Sequence, residues 1–410
     1  MFPPSPVTSI FVARQPIFEL DHGLYGYELL YRRDGEIDRA DGVHEHMSAD
    51  VIASSLLGIG LSTLSGDRVA FINFGRDQLL SDSWTLFDRD KIVIELLEHV
   101  RCDAETIAAC ERLVKAGYRL ALDDYVHADS SALLPLASIV KIDVLGKSAD
   151  ELRAIRAELA GHQVRLLAER VETAAVRDLC AGLGFDLFQG FLFSRPETVS
   201  KRDVSAGQLA VMRLLNLLQD TKTSDADLEA AFETDVALCY KLLRIVNAAS
   251  VGGRGVKSIA HAIRMIGRQS LHRWLTVMLV ASVGQQGSVT HEVALTALTR
   301  ARLCESVVRV APAPRNGDSA FIVGLLSLLD VLLDMPMQTV LSRLELSEDI
   351  ARALLEEGGP YAAPLKLVRA YELGEWEQVR TLAIDSGVAD ALVADLYLDA
   401  LTWATDSVAA

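Results

Sequence analysis

The sequence predicts a (β/α) barrel followed by an all-helical domain, on three observations. Short apolar runs alternate with helical stretches through the first half, and each run ends in polar or acidic residues. Beyond about residue 200 the strand signals stop, and apolar residues recur at i, i+3, i+4, i+7.

In chain order the apolar runs are GYELLYR (26–32), VAFINF (69–74), KIVIELLE (91–98), YRLALDDY (118–125), IVKIDV (139–144), VRLLAERV (164–171) and FDLFQGFLF (185–193). Alternation with helices indicates a parallel sheet with helical crossovers. Closing such a sheet gathers the strand ends at one mouth, so residues far apart in sequence can share a site. About 195 residues is short for eight strands, which typically take about 250, so trimmed helices or a missing unit are expected.

The second half opens after SRPETVSKRDVS (194–205). QLAVMRLLNLLQD, DVALCYKLLRIVNAAS, SIAHAIRMIG, SLHRWLTVMLVASV, EVALTALTRARLCESVVRVA and DSAFIVGLLSLLDVLL all carry helical periodicity. Gly252-Gly253, Gly358-Gly359 and Pro360 punctuate them. The expected boundaries are 1–198 for the barrel, 199–207 for a linker and 208–410 for the helical domain.

Composition narrows the function. Half of the 410 residues are apolar and 23% are charged, as in a compact globular protein. The sequence has neither a run of about twenty apolar residues nor a signal-peptide layout, so a soluble, cytoplasmic protein without membrane insertion is expected. A net charge of −16 opposes broad contact with a nucleic acid polymer. The stripe Arg264, Arg268, His272 and Arg273 reads as a solvated helix face. Cys102, Cys110, Cys180, Cys239 and Cys304 lack metal or disulfide spacing and are expected to be reduced and mostly buried. His44 and His46 stand two apart and do not share a helix face. Trp274, Trp376 and Trp403 read as core or interface anchors.

The chemistry lies in the acids. Glu28, Glu95, Asp123, Asp124, Glu169 and Glu172, with Asn73, would repel one another in one mouth without compensating charge. Divalent cations resolve this, because Mg²⁺ and Mn²⁺ both take carboxylate and amide oxygens. Two such ions activate water and clamp an in-line displacement at phosphorus. Lys141 belongs to the next strand and is placed to meet the attacking water. Taken singly, each acid is most simply a solvated residue or a helix cap. The ordered series argues for a site.

These segments resemble the EAL domain family, which hydrolyses cyclic di-GMP to pGpG on a modified TIM barrel with two Mg²⁺ or Mn²⁺ ions. The resemblance runs over roughly residues 10 to 197. The family's opening motif stands as Gln15-Pro16-Ile17, and its signature as Glu28-Leu29-Leu30-Tyr31-Arg32. It implies that Glu28, Asn73, Glu95 and Asp123 ligate one metal, and that Asp123, Asp124 and Glu169 hold the second. Lys141 and Glu169 would serve catalysis, with Gln15, Arg32, Glu172 and Gln189 lining the nucleotide pocket. Two departures stand out. Asp123-Asp124-Tyr125-Val126-His127-Ala128 replaces the family's Asp-Asp-Phe-Gly-Thr-Gly, losing two turn-forming glycines, and Leu29 replaces the signature Ala.

The helical half resembles the HDOD domain, a relative of HD phosphohydrolases without their His-Asp pair. Ser327-Leu328 stands where hydrolases carry that pair, which implies an interaction or regulatory module. The two resemblances together imply a bacterial signalling protein with cyclic di-GMP as ligand, other signalling proteins as partners of the HDOD half, and a homodimer left open. Three functions follow: a nucleotide receptor that transmits occupancy to the helical half, a slow metal-dependent phosphodiesterase, or a nucleotide-independent scaffold.

Overall fold

The computed structural model describes residues 10–33, 59–123, 131–190, 206–220, 222–233, 238, 242, 259–281, 288–312, 315–333, 336–342 and 346–409. Asp124, His44, His46 and Cys239 lie outside them.

Eight strands close a barrel in sequence order: β1 (Ile10–Glu19), β2 (Leu24–Arg33), β3 (Val69–Phe74), β4 (Ile92–Leu96), β5 (Arg119–Leu122), β6 (Ile139–Asp143), β7 (Arg165–Glu169) and β8 (Leu187–Phe188). The pairings from β2 to β8 are parallel, but β1 runs antiparallel to both β2 and β8. The seven runs read from the sequence, now β2 to β8, are parallel as expected, and β1 adds an antiparallel strand to them. A parallel return needs a crossover of about a dozen residues, and segment 20–23 leaves room only for a hairpin turn, with His22 at φ 68. Replacing one crossover helix by a hairpin is how eight strands fit into a short barrel.

The barrel interior is stratified. Ile17, Phe71, Val93, Ala121, Ile139, Leu167 and Leu187 form a separate buried apolar cluster inside it. Side chains alternate along a strand, so residues two further along point the same way. That step leads from Phe71 to Asn73, Val93 to Glu95, Ala121 to Asp123, Ile139 to Lys141, Leu167 to Glu169 and Leu187 to Gln189. On antiparallel β1 it leads back from Ile17 to Gln15. A polar layer therefore rests on an apolar plug. Beside the plug, β2 and β3 approach so closely that a Cβ on Gly26 would collide with the Val69 carbonyl.

Helices α1 (Leu61–Ser65), α2 (Arg76–Leu80), α3 (Ala104–Lys115), α4 (Ala149–Glu158) and α5 (Ala174–Gly182) lie between the strands in sequence. Asp103, Ser148 and Thr173 cap the last three, each accepting from a backbone N–H of the first turn.

The second half is helical, as expected: α6 (Ala206–Gln219), α7 (Asp225–Glu233), α8 (Ile259–Ile266), α9 (Arg268–Ala281), α10 (Val289–Val310), α11 (Gly317–Leu326), α12 (Leu329–Leu333), α13 (Met337–Leu341), α14 (Glu348–Leu355), α15 (Ala362–Leu373), α16 (Trp376–Ser386) and α17 (Asp390–Ala409). Helix α10 is buried along most of its length and packs on α11 and α17. The basic stripe is only partly a solvated face: Arg264 is exposed, whereas Arg268 and Arg273 are held by other segments. Arg268 donates to the Thr223 carbonyl at 2.8 Å, and Arg273 forms a bidentate pair at 2.7 Å with Glu305, which is fully buried. Arg302 and Arg309 also reach Glu305, and the arginines outweigh the burial that would otherwise neutralise it, keeping its pKa below the usual range. Cys110, Cys180 and Cys304 are free and buried, as expected.

The tight β2–β3 approach gives a test. Gly26→Ala should lower the unfolding free energy by about 1–3 kcal/mol in a urea titration. Gly161→Ala, where the added methyl has nothing within 4 Å, should stay within about 0.5 kcal/mol of wild type.

Candidate functional site

The polar layer is organised around one buried ammonium. Lys141 Nζ lies 2.8 Å from Glu169 Oε1, 3.2 Å from Asp123 Oδ1 and 3.3 Å from Glu28 Oε2, and it donates to Glu95 Oε1. Strand pairing explains the convergence. Asn73 is in register with Glu95, Asp123 extends the β5 ladder by donating its N–H to the Leu96 carbonyl at 3.0 Å, and β6 and β7 run in register beside it. The antiparallel hairpin brings in Glu28 opposite Gln15. Gln189 then closes the ring, its Nε2 donating to Gln15 Oε1 at 2.9 Å and to Glu28 Oε2 at 2.8 Å.

Gly190 makes Gln189's position possible. At φ 143 it lies so close to residues 170 and 171 that any Cβ would strike their backbone. Val171 N–H donates to the Gln189 carbonyl at 3.0 Å, fastening the end of β8 to the segment after β7.

Four carboxylates face one ammonium, so the mouth holds excess acid. Burial acts against the Lys141 charge, but the combined field of Glu169, Glu28, Glu95 and Asp123 outweighs it and raises the pKa well above the lysine range. Burial, with Glu28 adding to it, raises Glu95 well above the carboxylate range despite Lys141. Glu169 is lifted to about 7, chiefly by burial, with Lys141 opposing and Asp123 and Glu28 reinforcing the shift. Protons stand in here for missing positive charge.

The donor set suits a hard divalent cation. Among the described residues nothing donates to the buried oxygens Asn73 Oδ1 and Glu95 Oε2, and these are amide and carboxylate oxygens of the kind Mg²⁺ and Mn²⁺ take. Also among the described residues, no three His, Cys, Asp or Glu side chains are arranged as a metal cluster. Lys141 Nζ stands at the centre of the acids and holds them around itself.

Glu28, Asn73, Glu95, Asp123, Lys141, Glu169, Gln15 and Gln189 thus meet in one layer of one mouth. Glu172 is exposed, in the segment after β7. Arg32 sits on β2 opposite Phe11. The sequence reading passed over Asp143, which pairs in register with Glu169 and forms a salt bridge with Arg170, a non-glycine residue at φ 53. The two-residue step from Lys141 would have pointed to it.

Comparison with known proteins identifies the family. The EAL domain family matches residues 55–196 and the HDOD domain family residues 208–347. Cyclic di-GMP phosphodiesterase CdgJ of Vibrio cholerae is 31% identical over 405 residues, covering 97% of this chain and 92% of its own. Uncharacterized protein YuxH of Bacillus subtilis is 31% identical over 402 residues, covering 96% of this chain and 98% of its own. The chain belongs to the EAL–HDOD family. Among solved structures, the calcium and cyclic di-GMP complex of Klebsiella pneumoniae BlrP1 aligns with a TM-score of 0.38 and 22% identity, over 48% of this chain and 58% of its own. A standalone EAL protein from Vibrio cholerae O395 with cyclic di-GMP bound aligns with a TM-score of 0.37 and 22% identity, over 47% of this chain and 94% of its own. The EAL match begins after the β1–β2 hairpin, yet that hairpin supplies Gln15 and Glu28 to the EAL–HDOD barrel's acidic ring.

The Glu169 shift has a measurable sign. Its folded-state pKa of about 7 lies above the ordinary glutamate value of 4.5, so between these limits the folded protein binds more protons than the unfolded chain. Stability from this group therefore falls as pH rises through that window. In chelator-treated protein the melting temperature should drop from pH 5 to pH 7.5, and Glu169→Gln should flatten the drop. Adding Mn²⁺ should raise the melting temperature more at pH 7.5 than at pH 5.

Proposed function

We propose that this EAL–HDOD protein binds cyclic di-GMP at the acidic mouth of its barrel with the help of divalent cations, and that its helical half carries regulatory contacts. The observation behind this reading is the ring of Glu28, Glu95, Asp123 and Glu169 around Lys141, with unsatisfied oxygens on Asn73 and Glu95. An anionic ligand cannot approach such a ring without added positive charge. Divalent cations, when bound, supply that charge and polarise both the phosphodiester and an adjacent water. Glu28, Asn73, Glu95, Asp123 and Glu169 would hold them in this reading, with Asp124 a further proposed ligand. Gln15 and Gln189 present amides beside Glu28 and so are placed to orient a nucleotide.

Slow hydrolysis to pGpG is a second reading, favoured by Lys141. Its ammonium sits within 3.3 Å of three carboxylates and also bonds Glu95, and a buried cation of this kind would stabilise negative charge developing on an attacking oxygen. The long similarity to a relative named as a cyclic di-GMP phosphodiesterase supports it. The helical half lacks a hydrolytic His-Asp pair. Ser327 at that position instead accepts from Arg300 at 3.2 Å and donates to the Gly324 carbonyl at 2.7 Å.

Calorimetry should detect cyclic di-GMP binding with Mg²⁺ or Ca²⁺ and at least tenfold weaker binding in chelator. The absence of heat at high micromolar nucleotide with metal present would reject the binding reading. Under the second reading, Mn²⁺ supports pGpG formation by wild type, and Glu28→Gln and Lys141→Met lose it by about a hundredfold or more. Equal product from these variants would point to a contaminating enzyme.

A further inference from the structure

Neither family match reaches the two segments that meet over the barrel mouth. The β1–β2 hairpin precedes residue 55, and the turn between α15 and α16 follows residue 347. Cross-strand pairs Ile17–Gly26, Gln15–Glu28, Ala13–Leu30 and Phe11–Arg32 define one continuous face of the hairpin. Low on that face Ile17 belongs to the apolar plug, and one step higher Gln15 and Glu28 share the amide of Gln189. Pairing of β2 with β3 ends at Leu29 opposite Ile72, so the upper part of the hairpin continues past that pairing.

The helical half occupies that upper stretch. Gly374, at φ 70, lies against Leu30, and a Cβ there would come within 2.8 Å of Leu30 Cδ1. The Phe11 ring packs 5.9 Å from Trp376 and 6.4 Å from Tyr371, whose hydroxyl donates to the Val12 carbonyl at 3.3 Å. Glu372 turns its backbone carbonyl toward Gln15 Nε2 at 3.5 Å. The face that presents Gln15 and Glu28 to the mouth therefore runs directly beneath the 372–376 turn.

We infer that residues 372–376 form an autoinhibitory stop over the nucleotide site, so that the docked turn and a bound nucleotide exclude one another at Gln15 and Leu30. This inference rests on the barrel being a cyclic di-GMP site. Gln15 already spends its carbonyl on Gln189, leaving Nε2 to meet a ligand oxygen. That nitrogen faces the Glu372 carbonyl, and a second acceptor brought to the same place is repelled by the first. At 3.5 Å the hydrogen bond itself is long, so the stop is held mainly by apolar packing of Trp376 and Tyr371 on Phe11. Such packing can be released without breaking the acidic ring. The apparent affinity for nucleotide is then the intrinsic affinity reduced by the fraction of molecules with the turn lifted.

The geometry allows a reversible lock. A Cβ on Gly374 would lie 3.5 Å from Leu30 Cβ, within the roughly 3.5–4.5 Å that disulfides span. In full-length protein carrying Leu30→Cys and Gly374→Cys, with pairing verified by mass spectrometry, the oxidised form should bind cyclic di-GMP in Ca²⁺ at least tenfold more weakly than the same sample after reduction. Trp376→Ala should bind more tightly than wild type. Equal affinity of oxidised and reduced protein overturns the stop while leaving the binding site standing. No binding by the reduced variant and by wild type removes the nucleotide reading, and the inference with it.

Discussion

One buried ammonium opposed by four carboxylates sets the terms for the rest of this barrel. Lys141 is almost fully enclosed, as is Glu95, and an apolar layer headed by Phe71, Ile139 and Leu167 lies directly below. In that setting water cannot solvate a charge, so Glu95 is driven toward its protonated form and the Lys141 ammonium depends on the acids around it. Replacing the whole ring by apolar side chains would relieve the shortfall of positive charge, as is often true of buried ion clusters. Its presence is better explained by a ligand than by folding. A ring that holds more acid than base is poorly satisfied by folding alone, which is the usual exchange of stability for function.

Much of this was legible in the sequence, because the barrel strands are buried on both faces and read as short apolar runs. The polar ends of those runs name the ring residues Glu95, Asp123, Lys141 and Glu169, and the structure brings them together. Register was not legible. The two-residue step from plug to ring is the same on every strand, but without the plug to count from, the sequence does not mark Asp143 as lying on the same face as Lys141. The β1 direction was also hidden, because the alternating pattern of the first hairpin is the same whichever way its partner runs. Only the shortness of segment 20–23 carries the information, and its meaning depends on pairing.

Tertiary context also overrode the simplest reading in the helical half. Arg264, Arg268, His272 and Arg273 form a polar stripe by periodicity, and a polar stripe is ordinarily solvated. Arg273 instead finds Glu305, 32 positions away, and is held over the Phe321 ring 3.8 Å from its centroid. A carboxylate buried inside α10 is invisible to any local pattern. The contacts between the halves are more remote still, with Gln15 and Glu372 separated by 357 positions and Tyr27 and Glu292 by 265. Aromatic residues such as Trp376 hint at an interface but not at its partner.

The seam between the halves matters because it joins two polar networks that would otherwise be separate. Arg300, nearly enclosed, holds the Glu372 carboxylate through Nε and Nη2 and the Ser327 hydroxyl through Nη1. The backbone carbonyl of that same Glu372 faces Gln15, which bonds Gln189 and through it Glu28. Ser327 thus helps fix Arg300, and through it the turn above the barrel. Contiguity alone does not make coupling; an element with two arrangements is required. The 372–376 turn is the element proposed for this, anchored through Glu372 and packed against the hairpin through Gly374 and Trp376. The buried arginine clamp ties the position of the turn to the packing of the helices around it.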